Sequence, residues 1–173
     1  TIAKVPGTIY LTASSLKMKT GQSTTAFKAT GFSEGDYVTA VTSNKPGTVK
    51  VTNVNKNGTF KLTAGKKAGS AVVTVTMASK KTASFKVTVQ KAAVKTTKIT
   101  TTTKSLTLAK GATYKKLASS ITVTPVTSKE KVSYSSSNKK VATVSSKGVI
   151  KAKKAGTTKI TVKSGKKKVV VTV

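Results

Sequence analysis

Three carboxylates, Glu34, Asp36 and Glu130, are all that this 173-residue chain offers for acid–base chemistry. Histidine and cysteine are absent, and with them go the usual means of building a catalytic triad, a thiolate nucleophile or a zinc site. Glu34 and Asp36 flank Gly35 in "SEGDY", and a pair of carboxylates is what a glycosidase requires. This pair falls in a glycine turn between two strand patterns, and the chain has no tryptophan to wall a sugar. A solvated turn is the reading that follows. Two carboxylates without a DxDxDG loop also give too few hard oxygens for tight calcium binding. No catalytic, metal or cofactor residue is assigned, and the chain is expected not to be an enzyme.

The opposite charge dominates. Lys and Arg total 33 against 3 Asp and Glu, a formal net of +30, and every one of the cations is lysine. A polycation of this kind repels its own copies and is drawn to anionic polymers by a force that salt weakens. Two runs, "KAKK" with Lys151, Lys153 and Lys154 and "KKK" with Lys166, Lys167 and Lys168, are the candidate polyanion contacts. Their partners would be an anionic cell-wall polymer, a host glycan or mucin. Without arginine to fork onto guanine edges, and with the Phe and Tyr residues mostly on strand-interior phases, no specific nucleic-acid readout is expected. Lysines on edge strands also discourage sheet-to-sheet pairing, so solvated strand faces and hairpin tips explain these runs without any ligand.

The elements that would carry these side chains are strands. In "SFKVTV", Phe85, Val87 and Val89 point one way while Lys86 and Thr88 point the other, and Val169, Val171 and Val173 repeat the pattern at the C-terminus. Similar runs are read at Thr8–Ala13, Thr24–Thr30, Tyr37–Thr42, Val49–Val54, Thr59–Thr63 and Ala71–Met77, parted by turns such as "TSNKPG" and "NKNG". Without cysteine, packing alone must hold them. No apolar run approaches the roughly 18 residues of a membrane span, and a chain that starts at Thr1 is expected to be a processed secreted protein or an excised piece.

The two halves match in four collinear blocks. "SLKMKTG" from Ser15 pairs with "SLTLAKG" from Ser105, and "SNKPGTVKV" from Ser43 with "SNKKVATV" from Ser137. "NGTFKL" from Asn57 pairs with "KGVIKA" from Lys147, and "AGSAVVTV" from Ala68 with "AGTTKITV" from Ala155. A tandem pair with small turn insertions accounts for the drift between blocks. Short strands at a spacing of roughly 8–12 residues are the signature of a small β-sandwich. The halves are set at 1–91 and 92–173, joined around "QKAAVKTT" by a short, semi-extended connection.

The stretch "YSSSNKKVATVSSKGVIKAKKAGTTKITV" resembles the C-terminal half of a bacterial immunoglobulin-like domain, group 2, the module repeated in intimin- and invasin-type adhesins. The pattern of that family is met at Tyr134, Ser136 to Asn138, Val141 to Val144, Gly148, Val149, Ala152, Gly156, Thr157 and Ile160 to Val162. The first half departs further, with Ala40 in the aromatic slot, Pro46-Gly47 shortening a turn, and three extra residues before Gly69. The resemblance implies an all-β chain of two tandem immunoglobulin-like β-sandwiches, located outside a bacterial cell or on its surface, that acts as a non-catalytic stalk or spacer between flanking domains. Two other functions stay open: a self-assembling filament or array subunit, polymerising through "TIAKVPGTIYLTA", and a glycan-binding module. Surface domains of Gram-positive bacteria also resemble carriers of an internal isopeptide bond, for which Glu130, Asn138 and a buried lysine would be the candidates.

Overall fold

A computed structural model describes residues 9–173, all in strands, turns and one short 3-10 segment. The chain divides into two compact units, the first ending at Val94 and the second running from Lys95 to Val173.

The first unit holds β1 (Tyr10–Leu11), β2 (Ser15–Lys19), β3 (Ser23–Thr24), β4 (Ala29–Thr30), β5 (Val38–Ser43), β6 (Val49–Thr52), β7 (Lys61–Ala64), β8 (Gly69–Met77) and β9 (Thr82–Gln90). One sheet runs β2-β9-β8-β5 and a second β3-β7-β6, while β1 pairs with β4. All neighbours are antiparallel except β2, which lies parallel to β9. Alternation sets these strands: Ala71, Val73, Val75 and Met77 of β8 and Phe85, Val87 and Val89 of β9 are buried, while Val72 and Lys86 between them face solvent.

The second unit holds β10 (Lys98–Thr101), β11 (Thr113–Tyr114), the 3-10 turn Ala118–Ser120, β12 (Ile121–Thr124), β13 (Val132–Ser136), β14 (Ala142–Val144), β15 (Ile150–Ala152), β16 (Lys159–Ser164) and β17 (Lys167–Thr172). Its sheets run β13-β16-β17 and β11-β15-β14, with β10 paired to β12, and Ser105 bridges in parallel to Thr172. The pairings repeat those of the first unit, except that the counterpart of β2 is the single bridge at Ser105. Each unit is an immunoglobulin-like β-sandwich.

Two strand readings change in the structure. The run 24–30 is not one strand: its start pairs with β7 and its end with β1, and the Thr24 hydroxyl accepts the Ala26 N–H at 3.2 Å in the bend between. Ser15–Lys19, read from the sequence only as a repeat marker, is a complete strand that buries Leu16 and Met18. Among the described residues of "TIAKVPGTIYLTA" the strand is Tyr10–Leu11, and Thr1 to Thr8 lie outside the described residues.

Register corrects the repeat alignment by one residue at β5. Thr48 and Val49 N–H both reach the Lys45 carbonyl, as Val141 and Ala142 N–H reach that of Asn138. Lys45 therefore matches Asn138, and Val41 rather than Ala40 occupies the slot of Tyr134. The hairpin after β6 is longer in the first unit, since Leu62 pairs with Val51 as Ile150 pairs with Val144, and two of the extra residues fall after the turn glycine, Gly58 matching Gly148. A two-residue shift leaves every side chain on its original face, so the apolar pattern cannot reveal it.

The cores differ in chemistry. Phe27, in the break of the divided strand, stacks on Phe85 at 4.1 Å between ring centroids and meets Phe60 at 6.3 Å. Such pairs add about 0.5–1.5 kcal/mol beyond burial. The second unit places Leu117 at the corresponding break and fills its core with Ile150, Ile160, Val162 and Val171. Tyr134 is half-buried there rather than enclosed, and burial raises its phenol above the ordinary value.

Gly148 lies under that ring with φ +76, and a Cβ there would stand 3.0 Å from Tyr134 Cζ. Gly21 has a similar φ of +73 but open space around it. Gly21→Ala should therefore cost about 1 kcal/mol for backbone strain alone. Gly148→Ala should cost roughly 2–4 kcal/mol, because the ring must also give way. Urea unfolding of the two variants measures the difference; equal losses would remove the packing role of Tyr134.

Candidate functional site

The carboxylates turn out to be fasteners. Asp36, just ahead of β5, accepts the Ser79 hydroxyl on Oδ2 at 2.6 Å, and on Oδ1 the N–H groups of Ser79 at 3.1 Å and Tyr37 at 3.0 Å. It thereby ties the start of β5 to the β8–β9 hairpin. The Ser79 hydroxyl, more than any other group, holds the Asp36 carboxyl below its usual value, with the Tyr37 N–H and the charge of Lys81 acting in the same direction.

Glu130 stands at the comparable place in the second unit, two residues ahead of β13. Its Oε2 accepts the Thr96 N–H at 2.6 Å, and its carboxylate occupies the space in which Gly165 would otherwise need a Cβ. Beneath it the Thr96 hydroxyl meets Ser128 Oγ at 2.9 Å and Ser164 Oγ at 2.8 Å. The Thr96 N–H is the main reason the Glu130 carboxyl sits below its ordinary range. Only residue 165, between β16 and β17, permits this approach, because glycine brings no side chain. Sequence reading missed both fasteners: their partners lie 43 residues away for Asp36 and 34 for Glu130. Glu34 is exposed and joins neither.

The isopeptide arrangement does not assemble. Glu130 and Asn138 lie beyond opposite ends of β13, and the buried polar residues are Thr96, Thr127, Thr158 and Ser164, with no lysine among those described. Thr158 and Asn138 instead form a turn lock, the Asn138 N–H reaching Thr158 Oγ1 at 2.9 Å.

All six candidate lysines are exposed, but the fold separates them. Lys151 projects from β15, and Lys153 and Lys154 follow it in the connection that precedes β16. Lys166 lies in the turn after β16, and Lys167 and Lys168 open β17 opposite Ser164 and Lys163, at the far end of β16. At about 3.3 Å per residue, six residues put on the order of 20 Å between the two groups. They make two cationic ends, not one patch.

Lys154 also lines a groove of about 420 Å³ formed with Leu106, Leu108, Val141, Gly156 and Val173. Among the aromatics, Tyr37 is exposed with Lys56 Nζ 5.0 Å from its ring centroid, whereas Phe27, Phe60 and Phe85 are enclosed. No group of three or more His, Cys, Asp or Glu among the described residues is placed to hold a metal ion, and no described helix is long and apolar enough to cross a membrane.

Residues 95–173 match the family model of the bacterial Ig-like domain, group 2. The match spans the whole of the C-terminal unit. Curated proteins give no match. Among solved structures, domains 4 and 5 of the S-layer protein SbsC are 26% identical over 78% of this chain and 74% of that one, with a TM-score of 0.40. Domains 1–6 of SbsC are 25% identical, with 85% of this chain covered and a TM-score of 0.39, and the chain spans only 22% of that structure. A C-terminal fragment of intimin, solved with the intimin-binding domain of its translocated receptor, is 14% identical over 96% of this chain and 62% of that one, with a TM-score of 0.31.

Asp36 gives a pH test with a definite sign. Its folded pKa lies below the ordinary 3.8, so its stabilisation is complete above that value and is lost as pH falls through the lower folded value. Asp36→Asn should flatten the acid limb of the first unit's stability without changing its slope near neutrality. Urea midpoints taken between about pH 2 and 6 read this out, and parallel curves for the two proteins would rule the fastener out.

Proposed function

We propose that the chain is a non-catalytic spacer: two copies of one Ig-like module, working outside a bacterial cell, that hold flanking domains of a larger protein at a distance. The observation that carries this reading is the use made of charge. Each unit buries its apolar faces internally, the two fastening carboxylates are consumed in tying hairpins to strand starts, and the candidate lysines project from strand faces and hairpin tips. The family match over 95–173 supports the module type. The match of strand order between the units supports the tandem origin. A role in reach needs only stiffness and solubility, and a net charge of +30 supplies the second.

The cationic ends add weak adhesion to anionic wall polymers or host glycans. The attraction is a diffuse field and not a shaped site, since the two lysine groups stand at opposite ends of β16. Binding to an anionic polymer such as teichoic acid should fall steeply with salt. The triple changes Lys151→Gln, Lys153→Gln, Lys154→Gln and Lys166→Gln, Lys167→Gln, Lys168→Gln should each weaken it by a similar, additive step. Titration at several salt concentrations separates the outcomes: one triple abolishing binding alone would replace the field by a true site. Sedimentation over the same salt series tests the spacer against a filament, and salt-induced polymers would sink the spacer.

A further inference from the structure

Gly58 and Gly148 close the same turn in the two units. The Gly58 N–H donates to the Asn55 carbonyl at 3.0 Å and the Asn55 N–H to the Thr59 carbonyl at 2.9 Å. In the second unit the Gly148 N–H reaches the Ser145 carbonyl and the Ser145 N–H that of Val149, both at 2.9 Å. This pattern is a type I turn followed by a glycine bulge, with Gly58 at φ +87 and Gly148 at φ +76. Glycine is obligatory in the first unit, since a Cβ would run into the Ala29 carbonyl and stand 2.7 Å from Phe32 Cζ. The residue ahead of it is free to vary: Lys147 stands in the second unit where Asn57 stands in the first.

The asparagines are Asn44, Asn53, Asn55, Asn57 and Asn138, and glycine follows Asn57 alone. Asn-Gly is the dipeptide most open to deamidation, because no side chain shields the glycine nitrogen. That nitrogen loses its proton and attacks Asn57 Cγ, and the side-chain nitrogen leaves as ammonia. Water then opens the succinimide ring to aspartate or to isoaspartate. A net charge of +30 favours the amide anion that makes the attack.

The turn opposes this chemistry. At the third position of a type I turn ψ is roughly 0°, and ring closure needs the peptide swung round toward the side chain. The Gly58 N–H is already engaged by Asn55. Asn57 Oδ1 accepts the Thr59 N–H at 3.1 Å and the Thr59 hydroxyl at 2.7 Å, and Asn55 Nδ2 donates to that hydroxyl at 3.0 Å. Neighbouring chain clamps the loop, the Ala29 N–H on the Gly58 carbonyl at 2.9 Å and the Val38 N–H on the Lys56 carbonyl at 3.1 Å.

We propose that Asn57 is a modification site gated by its own turn. It is quiet while the β6–β7 hairpin is closed and deamidates when the hairpin opens. Isoaspartate lengthens the backbone by a carbon and takes Oδ1 away from Thr59, so the opened hairpin cannot reclose as before. A transient local opening is thereby converted into a permanent mark.

The test holds the full chain at mildly alkaline pH, folded or in urea, and follows each asparagine by peptide mass mapping. In urea Asn57 should react first of the five, and in the folded chain at least about tenfold more slowly, because reaction waits on local opening. Thr59→Val, which installs the side chain that Val149 carries in the second unit, removes the hydroxyl from Oδ1. It should speed the folded chain's reaction roughly 2–10-fold and leave the rate in urea unchanged. The isoaspartate chain, refolded, should unfold at lower urea than the parent, whereas Asn57→Lys should keep the parent's midpoint. Equal rates folded and in urea, another asparagine reacting faster in urea, or a Thr59→Val rate matching the parent's would each overturn the proposal. So would a refolded isoaspartate chain with an unchanged midpoint.

Discussion

Alternate burial on short strands is the constraint from which the rest of this molecule follows. With no cysteine to cross-link it, each sandwich must send every second side chain inward and close its sheets on them. The strands are short, so single positions matter. Phe27 and Leu117 sit where the divided strand changes partner, and each is wholly enclosed. The break lets one stretch of chain serve two sheets, and the large side chain at the break plugs the space between them.

The same constraint explains why lysine can be so abundant. Outward positions of a half-buried strand tolerate almost any polar residue, and lysine keeps its ammonium in water while its stem lies along the sheet. A surface so uniformly cationic makes each remaining carboxylate valuable. Asp36 and Glu130 are placed at matching points ahead of β5 and β13; Asp36 accepts the N–H groups of Tyr37 and Ser79, and Glu130 that of Thr96. Their local chemistry differs, since one grips a serine and the other uses the bare surface of Gly165. The shared outcome is a closed end of the sandwich.

At the opposite end the two units diverge. Strand β9 runs far enough to cover Met18, and the pairing of β17 with residues 104–106 leaves Leu108 half-covered beside a groove.

The sequence by itself determined the all-β class, the strand positions with long alternation such as 71–77 and 84–89, the collinear blocks and the poverty of catalytic groups. Period two, turn glycines and composition are local properties, legible without a partner. Only the tertiary structure decided the rest. It decided that Ser15–Lys19 is a parallel strand, that the run 24–30 divides, that Val41 and not Ala40 matches Tyr134, and that Glu130 reaches Thr96 while Asn138 stands beyond the other end of β13. It also parted Lys151, Lys153 and Lys154 from Lys166, Lys167 and Lys168. The reason is common to all of these: a strand's faces are written in its own residues, but its partner, its register to the nearest two residues and the end of the sandwich at which it stops are properties of pairs distant in sequence.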